Sequence, residues 1–360
     1  MNPPAVRRVE IPKPNGGVRS LGIPTVVDRI TEQAMAQVIS PIAEKQFSEY
    51  SYGFRPKRRA QQAVVKLIEY LNDGYNYIVD IDLEKFFDNV PHDKLMSLVH
   101  ELINDPDTES LIRKYLNAGV MIKGEYAKTT MGTPQGGNIS PLLSNIMLNE
   151  LDRELEARGL RFVRFADDCV IAVGSSAAAN RVMASVTGFI EKKLGLKVNA
   201  SKSKVTKPMN LKYLGFGFWK DKEGWKARPH KDSIKRFERK LKAKTKRNWS
   251  VSIDQRIAEL NQLIRGWINS FRMGNMKSTL RRIDEHLRTR MRIVIWKQWK
   301  TSAKRYWGLR KLGAPEWMAR KSVAFGNHYQ AVAKTAGLHY ISKEILARRG
   351  LLSYLDYYLN

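Results

Sequence analysis

Two hydrophobic periods alternate along the first 225 residues, which predicts a mixture of strands and helices. Alternating apolar and polar residues flank the turn signal Asn15-Gly16-Gly17 and predict a hairpin near the N-terminus. Apolar residues at spacings of three and four predict helices, at 28–47, 59–72 and 177–194. Short apolar runs predict strands, at 75–83, at 160–173 on either side of a turn, and at 211–219.

One further helix has signals for both of its ends in the sequence. Ser140 can cap its first turn, and Pro141 suits the first helical position because the N–H that proline lacks would be unpaired there. Gly159 marks its end, and apolar residues recur at every fourth position between, namely Leu143, Met147, Leu151 and Leu155. Beyond residue 230 the pattern is helical almost throughout, with one apolar face formed by Ile257, Leu260, Ile264, Trp267, Ile268 and Phe271. The pattern therefore predicts an α+β region followed by an all-α region.

Charge divides the chain in nearly the same place. The chain has 360 residues and a formal net charge of +28. Residues 1–225 hold 31 basic and 26 acidic side chains, whereas residues 226–360 hold 32 and 9, together with six of the eight tryptophans. A solvated basic surface would explain the charge alone. Basic residues mixed with large aromatic ones favour instead a folded module that binds the phosphates of a nucleic acid.

The cysteine count and the apolar runs indicate the cellular compartment in which the protein is expected. Cys169 is the only cysteine, so no internal disulfide can form and a reducing compartment fits best. No apolar run approaches the roughly 20 residues that span a bilayer, and the N-terminal segment lacks the apolar core of a secretory signal. We therefore expect a cytoplasmic protein that is associated with nucleic acid and not with a membrane.

Two groups of carboxylates stand out against the apolar pattern. In the strand at 75–83, alternation places Asp80 and Asp82 on one face, and burying such a face is costly unless a cation or a donor compensates it. Asp167 and Asp168 lie at the turn between two apolar strands, where aspartates are common for structural reasons alone. If the fold brings Asp82 and this pair together, their oxygens suit two Mg²⁺ ions of the kind that assist phosphoryl transfer. The scattered histidines offer no zinc alternative.

Several sequence blocks resemble those of group II intron-encoded reverse transcriptases, also called maturases. They occur in the family's order, as IPKPNGGVRSLGIP, SYGFRP, IVDIDLEKFFDNVPH, GTPQGGNISPLLSNIML, FADD, LKVNASKSK and LKYLGF. After residue 230, LIRGWINSF and RRIDEHLRTRMRIVIWKQW resemble the thumb, or X domain, of that family. The resemblance implies an α+β right-hand polymerase, with reverse transcriptase fingers and palm over residues 1–228 and an all-α thumb, the maturase domain, over residues 229–360.

The resemblance also implies roles for the carboxylates. Asp82 matches the first catalytic carboxylate of the family, and Asp167 and Asp168 match the paired aspartates of the palm hairpin. All three are expected to be catalytic and to bind two Mg²⁺ ions, Asp82 and Asp167 most directly. Asp80 shares a face with Asp82 but does not match the catalytic position, so we expect it to lie behind the metal ligands. FADD in place of the commoner YADD keeps both carboxylates.

Other matched positions imply a nucleotide site. Lys13 and Arg19 flank the N-terminal hairpin and match residues that hold the triphosphate, although either is equally explained as a surface cation. Phe87 matches the bulky residue under the nucleotide sugar, where a ring excludes a ribose 2′-hydroxyl and selects deoxynucleotides. The alternative is a phenylalanine of the core. Gln135, in the glycine-flanked PQGG loop, resembles the residue that contacts the incoming nucleotide and the template.

The remaining assignments concern proton transfer, the primer and RNA. Lys202 matches a lysine credited with protonating pyrophosphate, and Lys204 is the alternative two residues away. One strand pair resembles the primer grip, formed by Tyr213, Leu214, Gly215 and Phe216. Basic residues of the thumb are expected to bind RNA, among them Arg281, Arg282, Arg288 and Arg292.

The function that the resemblance implies is that of an RNA-directed DNA polymerase of a group II intron, which also binds its intron RNA to assist splicing and retrohoming. The expected partners are the intron RNA, an RNA template with a DNA primer, and dNTPs, and a homodimer is compatible with this reading. Two alternatives stay open. One is an RNA-binding splicing cofactor that acts without polymerase activity, and the other is a domesticated or other bacterial reverse transcriptase.

Two departures from the family pattern narrow this expectation. The chain begins almost at the first block, where relatives usually carry an N-terminal extension, so we expect a short natural form or a truncated one. No segment after the thumb resembles the HNH endonuclease of some relatives, so we do not expect second-strand cleavage.

Overall fold

The computed structural model describes residues 2–12 and 16–360, and the chain divides into two compact units. The first unit comprises residues 1–211 and 220–225, and the second comprises residues 212–219 and 226–360. Each unit has a hydrophobic core of its own. The domain boundary expected after residue 228 stays a prediction.

The first unit is a mixture of strands and helices. Strands β1 to β8 are Val6–Pro12, Val18–Ile23, Tyr77–Ile81, Val120–Ile122, Glu125–Ala127, Arg161–Phe165, Asp168–Val173 and Lys204–Thr206. Helices α1 to α7 are Val26–Ala43, Ala60–Asn72, Phe86–Asn89, His92–Ile103, Pro106–Leu116, Ser140–Ala157 and Ser176–Lys193. The predicted elements of this region are present, although the ends of several differ by a few residues.

From residue 212 onward, short strands are followed by helices alone. Strands β9 to β11 are Lys212–Tyr213, Phe216–Asp221 and Gly224–Pro229. Helices α8 to α16 are Lys231–Lys244, Ile253–Phe271, Lys277–Gln298, Ser302–Lys311, Glu316–Val323, Tyr329–Val332, Ala336–His339, Lys343–Arg348 and Tyr354–Leu359. The predicted order of an α+β region and an all-α region is confirmed. None of the helices in the described part of the chain combines the length and apolar character that crossing a bilayer requires.

A four-stranded antiparallel sheet in the order β6-β7-β3-β8 forms the centre of the first unit. Its central strands β3 and β7 are largely buried on both faces, which explains why they are apolar runs rather than alternating ones. The register pairs Ile81 of β3 with Cys169 of β7. The end of β3 therefore lies beside the start of β7, which brings Asp82 close to the turn that carries Asp167.

A second sheet, in the order β2-β1-β4-β5, contains the predicted N-terminal hairpin. Strands β1 and β2 pair antiparallel from Arg7 opposite Ile23 to Pro12 opposite Val18, which confirms the two strands. Lys13 and Asn15, at the predicted tip, lie outside the described residues.

The helices of the second unit pack around α9 and α10. On α9 the apolar face predicted from the sequence is confirmed, because Ile257, Leu260, Ile264 and Ile268 are all buried. Asp284, buried on α10, ties the C-terminal segment to this core. Its carboxylate accepts hydrogen bonds from the backbone N–H of Tyr354 and Leu355 and from the Ser353 hydroxyl, at 2.8–3.0 Å.

Two local predictions are wrong. The single strand expected at 211–219 is broken, because Leu214 and Gly215 have φ values of 50° and 85° and form a tight turn between β9 and β10. A lone glycine in an apolar run does not distinguish such a turn from a continuous strand. Ser140 does not cap α6 but is its first residue, and its hydroxyl donates to the carbonyl of Pro134 at 2.8 Å instead.

Candidate active site

The Asp167-Asp168 pair lies at the tip of the β6–β7 hairpin. Phe165 pairs with Asp168, so Ala166 and Asp167 form a two-residue turn. Turns of this length need positive φ at a central position, which glycine usually supplies. Here Ala166 takes it, with a φ of 57°, and a left-handed conformation costs an L-residue about 1–2 kcal/mol. The surrounding structure must therefore hold this turn in place.

Asp82 directly follows β3, and the segment at 199–203 holds its backbone. The Asp82 N–H donates to the Ser203 hydroxyl at 3.0 Å, and the Asp82 carbonyl accepts from the Asn199 N–H at 2.8 Å. Since both of its backbone groups are used, the direction of the Asp82 side chain is well defined. The structure thus brings all three predicted catalytic carboxylates to one end of the sheet.

Desolvation and neighbouring negative charge raise the pKa of Asp167 and of Asp168. Desolvation is the largest cause of the raised pKa of Asp167, and the charge of Asp82 adds to it. The pKa of Asp168 is raised to about 6 by desolvation and then by the charges of Asp167, Asp82 and Asp80. The Asp168 side chain is still reached by solvent. Negative charge is therefore concentrated here at a place that a cation can reach.

Lys202 and Lys204 each lie near a different carboxylate. The Lys202 Nζ lies 3.1 Å and 3.3 Å from the two carboxylate oxygens of Asp82. Desolvation raises the pKa of Asp80 to about 6, even though the charge of Lys204, which lies opposite Asp80 in the β3–β8 register, partly offsets the rise. Of the two lysines that the sequence offered, Lys202 is therefore the one beside a predicted catalytic carboxylate.

The carboxylates suit Mg²⁺ in chemistry, since the donors are oxygens and their mutual repulsion would be relieved by a cation. Their arrangement is not a closed cage, because within residues 2–12 and 16–360 no group of three or more His, Cys, Asp and Glu side chains forms a ready metal site. The Lys202 ammonium occupies the position of a cation beside Asp82. The residues present thus fit the ion, and its binding would displace or share this lysine contact.

Phe87 and Gln135 line one cleft of about 290 Å³ in the first unit. Phe87 is partly buried, and its ring packs edge-on against that of Phe86 with 5.3 Å between centroids. The loop with Gln135 is tied to β2, because the Gln135 carbonyl accepts from the Gly22 N–H at 3.2 Å. Glycine is required at position 136 because the loop lies very close to β2 there. A Cβ at this position would lie 2.5 Å from the Gly22 carbonyl oxygen.

Of the two predicted triphosphate ligands, the structure describes only Arg19. This residue lies exposed on β2, and its positive charge lowers the pKa of Asp167. Arg19 is therefore close enough to the carboxylate group for its charge to act there. Lys13 lies outside the described residues.

The predicted primer-grip residues form the turn between β9 and β10 in the second unit. Tyr213 and Phe216 are buried, and the Phe216 ring packs on Phe271 with 4.9 Å between centroids. The Gly215 carbonyl accepts from the Ser233 hydroxyl at 2.8 Å. The aromatic residues therefore anchor the turn, and Leu214 and Gly215 are its more accessible part.

Three of the four predicted RNA-binding arginines share a cleft of about 410 Å³ in the second unit. Arg281, Arg288 and Arg292 line it together with His339 and Lys343. Desolvation lowers the pKa of Arg292, and the nearby positive charge of Arg288 lowers it further. Arg282 is not in this cleft, because it makes an ion pair with Glu238 at 2.8 Å.

Sequence reasoning missed the buried polar groups that support the catalytic turn. Arg164, on β6, and Asp152 and Asn145, on α6, are almost completely buried and bonded to one another. In the sequence, Arg164 is a charged residue close to a turn, which suggests exposure to solvent, although alternation places it on the strand face of Leu160 and Phe162. The available signal was an arginine between apolar residues three positions before Asp167.

Comparisons with known proteins agree with this geometry. The family model described as "Reverse transcriptase (RNA-dependent DNA polymerase)" matches residues 11–218, and that described as "Group II intron, maturase-specific domain" matches residues 234–313. Protein YkfC of Escherichia coli is 35% identical over 241 residues, covering 56% of this chain and 63% of that protein. The group II intron-encoded protein LtrA of Lactococcus lactis is 40% identical over 163 residues, covering 45% of this chain and 27% of that protein.

A solved structure shows the same fold at low identity. Telomerase from Candida albicans has a TM-score of 0.53 and 13% identity, over 81% of this chain and 59% of that one. The prediction of a reverse transcriptase fold followed by a helical maturase domain is confirmed. The chain spans less than two thirds of YkfC and about a quarter of LtrA. It belongs to the reverse transcriptase (RNA-dependent DNA polymerase) family, in the branch whose members also carry a group II intron maturase-specific domain.

Proposed function

We propose that this protein is an RNA-directed DNA polymerase that extends a DNA primer on an RNA template, and that it binds intron RNA to assist splicing and retrohoming. The observation that carries the polymerase assignment is the grouping of Asp82, Asp167 and Asp168, with Lys202 beside the first and the charge of Arg19 acting on the second. Family membership supports it.

The carboxylates are the proposed ligands of two Mg²⁺ ions. Bound there, the ions would supply activation of the primer 3′-hydroxyl and neutralisation of charge on the phosphates. Asp82 and Asp167 would provide the first oxygen ligands, and the ionised carboxylate of Asp168 would complete the set. Lys202 is placed to leave Asp82 and to donate a proton to the departing pyrophosphate.

The cleft that contains Phe87 and Gln135 is the proposed nucleotide site. The Phe87 ring would lie under the sugar and exclude a 2′-hydroxyl by contact. Gln135 would orient the nucleotide on its template base, and Arg19 would hold the triphosphate by charge. In phosphoryl transfer such positioning and charge neutralisation account for most of the catalysis.

RNA binding is proposed for the arginine cleft of the second unit. Arg288 and Arg292 repel each other, and this repulsion would be relieved by a phosphate between them. The oxygens of Asp284, which also borders the cleft, already accept the bonds that hold residues 353–355. Arg282, paired with Glu238, is the weaker candidate.

The decisive experiment is dNTP incorporation on an RNA template with a DNA primer. Asp167→Ala should abolish incorporation, because a metal ligand is lost. Asp93→Ala is the matched control, since the Asp93 side chain is 95% exposed and pairs only with Arg113 at the surface. Incorporation by Asp167→Ala at the level of the unmodified protein would refute the polymerase assignment.

The maturase-specific domain favours a second candidate, a splicing cofactor without polymerase activity. The same assay separates the two. If the unmodified protein incorporates no dNTP but binds a folded group II intron RNA with strong salt dependence, the cofactor assignment stands alone. The homodimer stays a prediction.

A further inference from the structure

We propose that Arg164 is a positioning residue for the reaction, which fixes the turn that presents Asp167 and Asp168. This inference rests on the proposed polymerase function. Arg164 is completely buried, one position before the end of β6, and its guanidinium bonds to side chains of α6 and to the backbone of the turn. It therefore acts through the backbone of the turn and not on substrate.

The guanidinium of Arg164 is held at three points. Its Nε and one terminal nitrogen donate to the two carboxylate oxygens of Asp152, at 2.7 Å and 2.5 Å. The other terminal nitrogen donates to the side-chain oxygen of Asn145 at 3.0 Å. Because Asp152 and Asn145 both lie on α6, this long helix fixes the plane of the guanidinium.

The same terminal nitrogen also reaches the catalytic turn. It donates to the Ala166 carbonyl at 2.9 Å, and this carbonyl belongs to the peptide bond that leads into Asp167. Ala166 is the residue with the left-handed conformation and is itself buried. A buried carbonyl in such a turn needs a donor, and Arg164 supplies one in a fixed direction.

A second contact closes on the turn from the other side. Gly53 packs so closely that a Cβ there would lie 2.1 Å from the Ala166 nitrogen. The Gly53 carbonyl accepts from the Asn145 side-chain N–H at 2.9 Å. Asn145 thus links both contacts, and Ala166 is held between the Arg164 guanidinium and the Gly53 backbone.

Stability alone is a weak reason for this network. Replacing a buried ion pair by apolar residues of similar volume is often neutral or stabilising. What apolar residues cannot supply is a directed donor to the Ala166 carbonyl. Groups that orient metal ligands from behind typically contribute ten- to hundredfold to metal affinity or activity. The geometry assigns Arg164 to that role.

Two variants test the assignment, with one matched control. Asn145→Ala removes the link between Arg164 and Gly53. The double variant Arg164→Met with Asp152→Leu removes the donor and keeps the core filled. The control is Asn149→Ala, one helical turn away on α6, because Asn149 is also buried and likewise bonds backbone groups distant in sequence, at Gln46 and Ser48, but is not among the partners described above for Arg164.

Three measurements separate positioning from a purely structural role. We expect both variants to lower kcat about ten- to hundredfold with the KM for dNTP within about twofold, because the nucleotide cleft is untouched. Titration with Mn²⁺ alone, followed by electron paramagnetic resonance, should show affinity about tenfold weaker. Hydrogen exchange should accelerate in the peptide 163–170. Asn149→Ala should lower the melting temperature as much as Asn145→Ala does and leave all three values unchanged.

The outcomes that would overturn the proposal are equally specific. If Asn145→Ala and the double variant match the unmodified protein in kcat, Mn²⁺ affinity and exchange, Arg164 only stabilises the fold. If Asn149→Ala changes the three values as much as Asn145→Ala does, the effect is a general one of α6. If the double variant fails to fold, Asn145→Ala still decides. A protein without polymerase activity would refute the proposed function, and the Mn²⁺ and exchange measurements would still decide the role of Arg164.

Discussion

The candidate sites of the two units hold like charges close together, carboxylates in the first and arginines in the second, with partial compensation from Lys202 in the first and Glu344 in the second. In the first unit Asp167 and Asp168 have raised pKa values, with nearby carboxylates among the causes. In the second unit the pKa of Arg292 is lowered, with the neighbouring Arg288 among the causes. Like charges stay close together only when other contacts of the fold, or a ligand of opposite sign, offset their repulsion. The comparison indicates a cation for the first site and a polyanion for the second.

The largest expected effect is that of a carboxylate variant, which should change the activity of the first site and leave the second site unaffected. Asp82→Asn should lower single-nucleotide incorporation by about a thousandfold, since several kcal/mol of transition-state stabilisation are lost with the metal. It should leave the affinity for intron RNA unchanged. Asp80→Asn is the matched variant on the same strand face and should cost less than about tenfold. Equal losses for both would contradict the assignment of Asp82 as the ligand.

The next largest effect is that of a variant of the arginine cleft, which should change RNA binding and leave nucleotide incorporation in place. The double variant Arg288→Gln with Arg292→Gln should weaken intron RNA binding by about ten- to hundredfold and reduce the slope of log affinity against log salt by about 2. Single-nucleotide incorporation at saturating primer-template should persist. Arg282→Gln, in the pair with Glu238, should change the slope less. A larger loss with Arg282→Gln, measured by filter binding, would move the RNA site away from the cleft.

A smaller effect concerns the aromatic part of the basic unit. Trp307 is 68% exposed, whereas Trp296 is fully buried, so the first is free to stack on a base and the second belongs to the core. Trp307→Ala should weaken single-stranded RNA binding by about fivefold, the low end of measured stacking contributions. Trp307→Phe should restore most of it, and the melting temperature should not change. Unchanged affinity in fluorescence anisotropy would exclude Trp307 from the RNA site.

The smallest effect is a pH dependence of stability. In the folded protein the pKa of Asp168 is raised from 3.8 to about 6, so its protonated form stabilises the fold and this contribution is lost as pH rises from about 4 to about 6. Asp168→Asn should therefore raise the melting temperature of metal-free protein, by a few degrees at most, above pH 6 and not at pH 4. Added Mg²⁺ should reduce the difference from the unmodified protein. An advantage that is constant from pH 4 to pH 8 would contradict the raised pKa.

Much of the first unit could be predicted because its elements have strong local signals. The apolar run that became β3, the alternation around the N-terminal hairpin and the four-residue spacing in α6 all depend on neighbours in sequence. The turn at Leu214 and Gly215 could not be predicted from local signals. Its positive φ values are stabilised by contacts with Ser233 and Phe271, which are distant in sequence. The capping role of Ser140 failed for a different reason, because α6 begins at Ser140 itself and not one residue later.

The candidate site shows the same division. Asp82, Asp167 and Asp168 could be named from motifs, because their spacing and residue types are distinctive. The choice between Lys202 and Lys204 could not be made from the sequence, since both belong to one short basic run. Strand register decides it, by placing Lys204 opposite Asp80 and leaving Lys202 for Asp82. Arg281 and Arg282 are likewise adjacent in sequence, and only the contact with Glu238 separates them.

The sequence by itself determined the family, the order of the α+β and all-α regions, and the residue types available for metal, nucleotide and RNA. These follow from periodicity, composition and motifs, which are local properties of the chain. Only the tertiary structure decided which like charges lie close together and how the turn that carries Asp167 is held. Arg164, Asp152, Asn145 and Gly53 are separated by up to about a hundred residues, and their bonds exist only once α6, β6 and the loop at 51–55 have packed. Burial then converts ordinary polar residues into a directed support, because a desolvated donor has to be paired and its direction is fixed by its partners.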